Sequence, residues 1–313
     1  MAARKDCDTA GRLYAHLSED FEVKDLGLAK YCLGIEFSQE EGKITMNQRG
    51  YIDDLLKRFG MVDSKPVATP MSQGTNLARN EKIESTQVDV PYRKLVGALM
   101  YLSVCTRPDI AHAASYLSQF NNCYDHWTAA KRVLRYLKGT RDVGLIYGKA
   151  SDPLTGFVDA DWANCKIDRK SYTGFAFILA GCPISWESRK QRTVALSSME
   201  AEYMAISDAT KEATHLRRFL LELGLNELGK IILYSDNCGA IKLVENPVFH
   251  NRSKHIDVRH HFVRGIVENG EMKIVYKSTE DMAADVLTKG LPGPKHKECV
   301  KLLGLSCDYL RTD

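Results

Sequence analysis

Residues 196–206 read LSSMEAEYMAI, two glutamates at the mouth of an apolar run whose spacing predicts a helix over 198–223. Successive helical residues turn by about 100°, so Glu200 and Glu202 point about 200° apart and cannot serve one site from one face. In line with Glu202 stand Ala205, Ile206, Ala209, Ala213, Leu216 and Leu220, an apolar stripe fit to lie against a sheet. In line with Glu200 stand Tyr203, Met204, Ser207, Lys211 and Arg218, a mixed face. Glu202 is therefore aimed at a sheet edge. Glu200 is read as a solvent-side or supporting residue.

The elements around this helix define its partner. LTGFVDADWA (154–163) is a short apolar strand running into acids, and SYTGFAFILAG (171–181) and CPISWES (182–188) read as two more strands. After the helix come a strand KIILYSD (230–236), a helix from Cys238 and another over roughly 255–268. A strand EMKIVYK (271–277) and a short helix EDMAADVLTKGL (280–291) complete the series. This order predicts an α/β domain on a mixed sheet. Four of its acids stand at element ends or in the last helix: Asp159, Glu202, Asp236 and Asp285. A buried carboxylate is costly unless paired or bound to a cation. Such a set suits Mg²⁺, a hard ion held by a few carboxylates and by substrate phosphate oxygens. Two such ions can activate a water and stabilise a leaving oxygen in phosphodiester cleavage. Asp161, two residues beyond Asp159, shares its strand face and is a candidate for a control substitution.

Before residue 150 the pattern differs. LAKYCLGIEF (28–37) and ITMNQ (44–48), with Gly42 between them, read as a β-hairpin. GYIDDLLKRFGM (50–61) carries Ile52, Leu55, Leu56 and Phe59 at helical spacing, with Gly60 as its C-cap. Residues 62–82 hold two prolines and read as an extended linker. Three helical stretches follow, at 91–103, 106–120 and 126–140, with Leu95, Leu99 and Leu102 on one face of the first.

The 313 residues are 44% apolar and 27% charged, which is globular composition and room for two domains. A net charge of +3 gives no global basic field, so a nucleic-acid partner would be met by local patches. Nine cysteines without a CxxC pair read as reduced thiols of an intracellular protein. No signal peptide and no apolar run near 18 residues is seen, so a soluble chain without a membrane partner is expected.

FVDADWA, SSMEAEYMA, LYSDNCGAI, KHIDVRHHFVR and MAADVLTKGL together resemble the ribonuclease H domain of copia-type retrotransposon Pol polyproteins. Residues 25–61 resemble the end of a reverse transcriptase palm with its primer-grip hairpin, and residues 91–140 resemble thumb and connecting helices. The resemblance implies a ribonuclease H-like fold, a five-stranded mixed sheet with flanking helices, after a mainly helical thumb and connection region. The implied division is 1–148 for the end of the reverse transcriptase, 149–292 for the ribonuclease H domain and 293–313 for a tail. It implies a catalytic and metal-binding set of Asp159, Glu202, Asp236 and Asp285. Two Mg²⁺ ions, replaceable by Mn²⁺, would be held there, with no small-molecule cofactor. The implied activity is endonucleolytic cleavage of the RNA strand of an RNA–DNA hybrid. The alternative is a catalytically silent fragment that only grips nucleic acid. The expected partners are the hybrid and the remainder of the Pol polyprotein, in the cytoplasm or in a virus-like particle. Many cellular ribonucleases H carry a histidine in the loop before the last aspartate, whereas here that loop is KSTED (277–281).

Tyr51-Ile52-Asp53-Asp54 spells a polymerase motif in the wrong place. It follows the hairpin it should precede, and it lies in an amphipathic helix whose N-terminus favours acids. The chain is therefore not expected to polymerise alone. Lys131, Arg135 and Lys138 on one helix, and Arg189, Lys190 and Arg192 before the long helix, are candidate phosphate contacts. Their bland reading is a solvated surface. His255, His260 and His261 fit zinc spacing poorly and read as structural. Trp162 and Trp186 read as core.

Overall fold

The computed structural model describes residues 7–24, 27–40, 42–75, 77, 90–120, 124–150, 152–245 and 254–306. The chain opens with helix α1 (Cys7–Asp20). Strands β1 (Tyr31–Cys32), β2 (Ile35–Glu40) and β3 (Lys43–Asn47) follow. The last two form the expected hairpin, with Phe37 opposite Met46 and Gly42 at a φ of +73° in the turn. That left-handed conformation is one glycine adopts without strain.

Helix α2 (Arg49–Arg58) contains the Tyr-Ile-Asp-Asp tetrapeptide. Ile52 is in the core and Asp53 faces Arg141 at 3.5 Å, so the tetrapeptide lies in a packed helix rather than on a hairpin tip. Gly60 N–H donates to the Lys57 carbonyl and Met61 N–H to that of Leu56, the paired bonds of a Schellman ending.

Helices α3 (Tyr92–Cys105), α4 (Ala111–Leu117) and α5 (Tyr124–Gly139) pack with α2 around Leu55, Leu95, Leu99, Leu102, Leu117 and Leu134. A 3-10 turn, Pro108–Ile110, joins α3 to α4. Beside it Arg107 and Asp109 form a fully buried ion pair at 2.7 Å. Its remaining atoms are satisfied by Thr140 and by the Tyr136 hydroxyl, which donates to Asp109.

β4 (Gly144–Tyr147) leads into the second half. There β5 (Leu154–Asp161), β6 (Tyr172–Leu179), β7 (Cys182–Lys190), β8 (Ile231–Ser235) and β9 (Met272–Tyr276) form one sheet in the order β7-β6-β5-β8-β9. The β5-β6 and β6-β7 pairs are antiparallel, and β5-β8 and β8-β9 are parallel. This is the mixed five-stranded sheet of a ribonuclease H-like fold. Helix α6 (Ser198–Glu222) lies on one face with α7 (Cys238–Glu245) and α8 (Lys254–Glu268) beside it. The whole stripe in line with Glu202 is buried. Ala201, Ala205, Ala209 and Ala213 make much of it small, which lets the helix axis approach the strands closely.

The other face of this sheet meets the end of the chain. Residues 280–291, expected as a short helix, instead make two 3-10 turns, Thr279–Asp281 and Ala283–Leu287. Met282, Ala283, Ala284, Val286 and Leu287 are all buried. A regular helix with one apolar stripe could not bury them all, and an extended Met282 (ψ 98°) between two tight turns does. Helix α9 (Gly293–Leu302) and β10 (Leu305–Ser306) follow. β10 pairs with β4 and closes a second, antiparallel sheet of order β1-β2-β3-β4-β10. Among the described residues no helix is long and apolar enough to cross a membrane.

Candidate active site

Three of the four predicted acids converge. Asp159 is on β5, Glu202 is in the first turns of α6 and Asp236 directly follows β8. One carboxylate oxygen of each lies within 4.8 Å of those of the other two. Strand alternation explains Asp159: Phe157, two residues earlier, packs toward the 282–291 segment and Asp159 faces the same side. Asp236 follows the central parallel pair, where the chain leaves the sheet.

The helix start explains Glu202. Ser197 caps α6 by accepting from the Glu200 N–H at 3.1 Å, and the Glu200 carboxylate accepts from the Leu196 N–H at 2.8 Å. This is close to a capping box. Glu200 therefore anchors the helix end while Glu202, two residues on, turns inward. The Ser-x-x-Glu spacing was the available signal for that role.

The three acids are costly to hold together. Glu202 is only 6% exposed, and its Oε2 has no hydrogen-bond partner among the described residues. Burial, then Asp159, then Asp236 push its pKa up to about 9. Neighbouring hydroxyls orient the other two acids. Thr288 donates to Asp159 Oδ2, and Thr279 donates to Asp236 Oδ2 at 2.7 Å. Thr279 belongs to the KSTED loop, which thus reaches the site without a histidine. Three converging carboxylates, one with an orphaned buried oxygen, are a donor set suited to a hard divalent cation. Hydroxyls that donate to the ligating carboxylates and fix their orientation are the usual accompaniment of such sites.

Asp285 stands apart from this trio. It is 1% exposed in the second 3-10 turn, and its partners are cations: Lys289 at 2.7 Å and Lys295 at 3.4 Å. Lys289 also lies 3.3 Å from Asp159 Oδ2. Burial opposes the lysine charge, yet Asp159 and Asp285 hold its pKa well above the ordinary value. The pKa of Asp285 is raised by burial and by Asp159. Lys289 was not singled out in the sequence, although its position four residues after Asp285 was the available cue. Asp161 is half-buried at the end of β5, accepts from Asn164 and is pushed up to about 6 by burial.

The predicted phosphate contacts form two groups. Arg135 and Lys138 donate to the Lys65 and Ser64 carbonyls at 2.7 Å each, and Lys131 lies over the Trp127 ring. Arg135 and Lys138 thus fasten α5 to the segment after α2, while the Lys131 contact stays within α5. Arg189 and Lys190 end β7, where Lys190 pairs with Asp168 at 2.9 Å. Arg189 and Arg192 line a groove of about 370 Å³ with Lys211, Arg259 and Asp208. Asp208 alone receives Arg189, Lys211 and Arg259 at 3.0, 2.9 and 3.5 Å.

Trp186, as expected, is largely inside, donating to the Ser103 carbonyl at 2.7 Å. Trp162 is not core: it is 48% exposed beside the acidic strand end, with its ring N–H on the Ala195 carbonyl. The turn after β5 carries it outward. His261 is exposed on α8, while the side chains of His255 and His260 lie outside the described residues.

Several known proteins are similar to this chain in sequence or in fold. The family model for reverse transcriptase (RNA-dependent DNA polymerase) matches residues 3–73. A retrovirus-related Pol polyprotein from transposon TNT 1-94 of Nicotiana tabacum is 42% identical over 312 residues, covering 96% of this chain and 23% of the polyprotein. A transposon Ty5-1 protein of Saccharomyces cerevisiae is 31% identical, covering 64% of this chain and 67% of that protein. The solved structure of LC11-RNase H1, isolated from compost, aligns with 44% of this chain and 94% of its own at 14% identity and a TM-score of 0.34. The chain thus spans less than a quarter of the tobacco polyprotein it matches.

Proposed function

The chain belongs to the retrovirus-related Pol polyproteins of copia-type retrotransposons, and on that premise we propose that residues 149–292 are a ribonuclease H. Its reaction is endonucleolytic cleavage of the RNA strand of an RNA–DNA hybrid, dependent on Mg²⁺ or Mn²⁺. The observation that carries this reading is the convergence of Asp159, Glu202 and Asp236 at one end of the central strands.

When bound there, a divalent ion would polarise a phosphoryl oxygen and make a bound water more acidic. The chain's own residues do the rest. Asp159, Glu202 and Asp236 would hold the ion through their carboxylate oxygens, Glu202 in its ionised form. Thr288 and Thr279 hold the Asp159 and Asp236 carboxylates in place. Asp285 closes the site on the far side of Asp159. In the groove that also holds Glu187, Asp208 and Glu212, Arg192 would take hybrid phosphates directly, and Arg189, Lys211 and Arg259 would do so by exchange with Asp208, as Lys190 would with Asp168, through sequence-independent, salt-sensitive contacts. Lys131, Arg135 and Lys138 on α5 extend the same role to the first half. In this reading the chain acts inside the cell on hybrids made by the polyprotein to which such segments belong, and the remainder of that polyprotein is its partner.

The test is cleavage of an end-labelled RNA–DNA hybrid by the purified chain in Mg²⁺ or EDTA, beside Asp236→Asn. Cutting of RNA only in the hybrid and only with metal, lost in the variant, is expected. A folded, hybrid-binding chain that never cuts would replace the enzyme by a binding module. Cutting that survives Asp236→Asn would overturn the site.

A further inference from the structure

The fourth acid of the family pattern does not face the other three across an open space. An ammonium group stands between Asp159 and Asp285. Lys289 Nζ is 3.3 Å from Asp159 Oδ2 and 2.7 Å from Asp285 Oδ1. Asp285 Oδ2 is in turn 3.4 Å from Lys295 Nζ. Lys295 is itself anchored on the Thr279 and Glu280 carbonyls at 2.7 Å each. Both oxygens of Asp285 therefore lie against ammonium groups, Oδ1 in an ion pair without a hydrogen bond, and Asp285 is absent from the set of acids whose oxygens converge.

The geometry of the pair is specific. A second divalent ion between Asp159 and Asp285 would occupy the place of the Lys289 ammonium. An ammonium has three donors and no demand for an octahedral shell. It can bridge two buried carboxylates where Mg²⁺ would need four more oxygens. Lys289 is also held there from behind. Burial of Asp159 and Asp285 leaves their charges with few other partners, and Gly290 is pressed against the Ser72 carbonyl, which a Cβ at residue 290 would meet at 2.9 Å.

We propose that Lys289 is the second cation of this site, a positioning residue whose ammonium fixes Asp159 and Asp285, so that the chain takes one divalent ion where the family pattern leads one to expect two. This rests on the ribonuclease reading, and the experiment separates the two. Mn²⁺ is titrated into the purified full chain, alone and with a hybrid made uncleavable by 2′-O-methyl RNA, and bound ions are counted by electron paramagnetic resonance. The native chain should bind one Mn²⁺ in both states, retained in Asp285→Asn and lost in Asp236→Asn. Lys289→Met should bind two, the second disappearing when Asp285→Asn is added. The dependence of cleavage rate on Mg²⁺ should steepen from first towards second order in that variant. Two ions in the native chain, one of them lost in Asp285→Asn, would overturn the proposal and leave the ribonuclease reading standing. A folded Lys289→Met that still binds one would do the same. Should Lys289→Met fail to fold, the native count and its response to Asp285→Asn decide alone. No bound ion in the native chain, or one unaffected by Asp236→Asn, would remove the metal site and the proposal with it.

Discussion

Replacing Glu202 with Gln should make the metal-free protein more stable while removing its activity. Glu202 is nearly buried, one of its oxygens is unpartnered, and its pKa is pushed up to about 9 by burial, Asp159 and Asp236. Its reference value is 4.5. Below pH 4.5 the group is protonated folded and unfolded, and it contributes no penalty. Between pH 4.5 and about 9 the unfolded chain ionises it and the folded chain does not, so stability falls by about 1.4 kcal/mol per pH unit. At pH 7 the accumulated penalty is on the order of 3 kcal/mol. Glutamine keeps the shape and removes the ionisation, so in EDTA at pH 7 the variant should gain that amount, roughly 5–10 °C in Tm. The gain should vanish near pH 4.5. Mg²⁺ should close the gap and, near a thousand times its Kd, reverse the order, because that excess stabilises by about 4.1 kcal/mol and only the native chain holds the ion. The assay is thermal and urea unfolding of both proteins in EDTA at several values between pH 4.5 and 8, repeated with Mg²⁺. A difference independent of pH, or a variant less stable than the native chain at pH 7 in EDTA, would refute the claim that Glu202 is held protonated against its environment.

Gly174 lies opposite Asp159 on β6, and a Cβ there would meet Leu287 and Thr288 at 2.7 Å. Gly174→Ala should cost about 1–3 kcal/mol and slow cleavage by shifting the Asp285 turn. The control Gly97→Ala, in helix α3 with open space around it, should gain about 0.5–1 kcal/mol and cleave normally. Unchanged cleavage in Gly174→Ala would contradict that packing. Asp109→Asn strips the buried Arg107 of its counter-charge and should cost about 3–5 kcal/mol in urea unfolding, with native stability as the refuting result. His112 is buried, and burial and then Lys289 hold its pKa down at about 4 against 6.5. The unfolded chain takes up that proton first, so this contribution is whole above pH 6.5 and is lost as pH falls toward 4, up to about 3 kcal/mol. Unfolding at pH 7 and 4.5 should show a smaller acid loss in His112→Asn than in the native chain; equal losses would sink the assignment.

What the sequence made legible was what local chemistry decides. The 100° arithmetic turned Glu202 inward because the small and aliphatic residues that follow it form a single stripe, and that stripe is buried along its whole length. Gly42 marked the hairpin and Gly60 the end of α2 because both positions require a left-handed backbone. The Tyr-Ile-Asp-Asp letters were discounted because Ile52 belongs to an apolar stripe, and it is in the core. The misses have a common cause. β4 and β10 are too short to carry a pattern: β4 pairs with β3 on one edge and with β10 on the other, and β10 is a strand only because β4 lies beside it some 160 residues away, as in the pairing of Leu145 with Leu305. Helix α1 was passed over, and its exposed Tyr14 and Leu17 gave no clean stripe. The 282–287 run reads as a helix until its residues must all be buried at once.

The same distinction separates the acids. Asp159, Glu202 and Asp236 are placed by the sheet and the helix that packs on it, elements whose patterns are local and strong. Asp285 and Lys289 sit on irregular backbone, and such backbone holds a position only if something outside it does the holding. Here that support comes from both directions along the chain. The Ser72 carbonyl bounds Gly290. The Pro108–Ile110 turn contacts the Ala283–Leu287 turn, and Tyr136 of α5 stacks edge-on with His296 of α9. β10 then ties the chain end to β4. The fourth acid is thus held by packing that begins in the first half of the molecule. A change in that half, such as Asp109→Asn, should therefore reach the catalytic end through Asp285 and Lys289 and leave the Asp159–Glu202–Asp236 trio in place. Its signature would be slower cleavage with the trio's ion still bound.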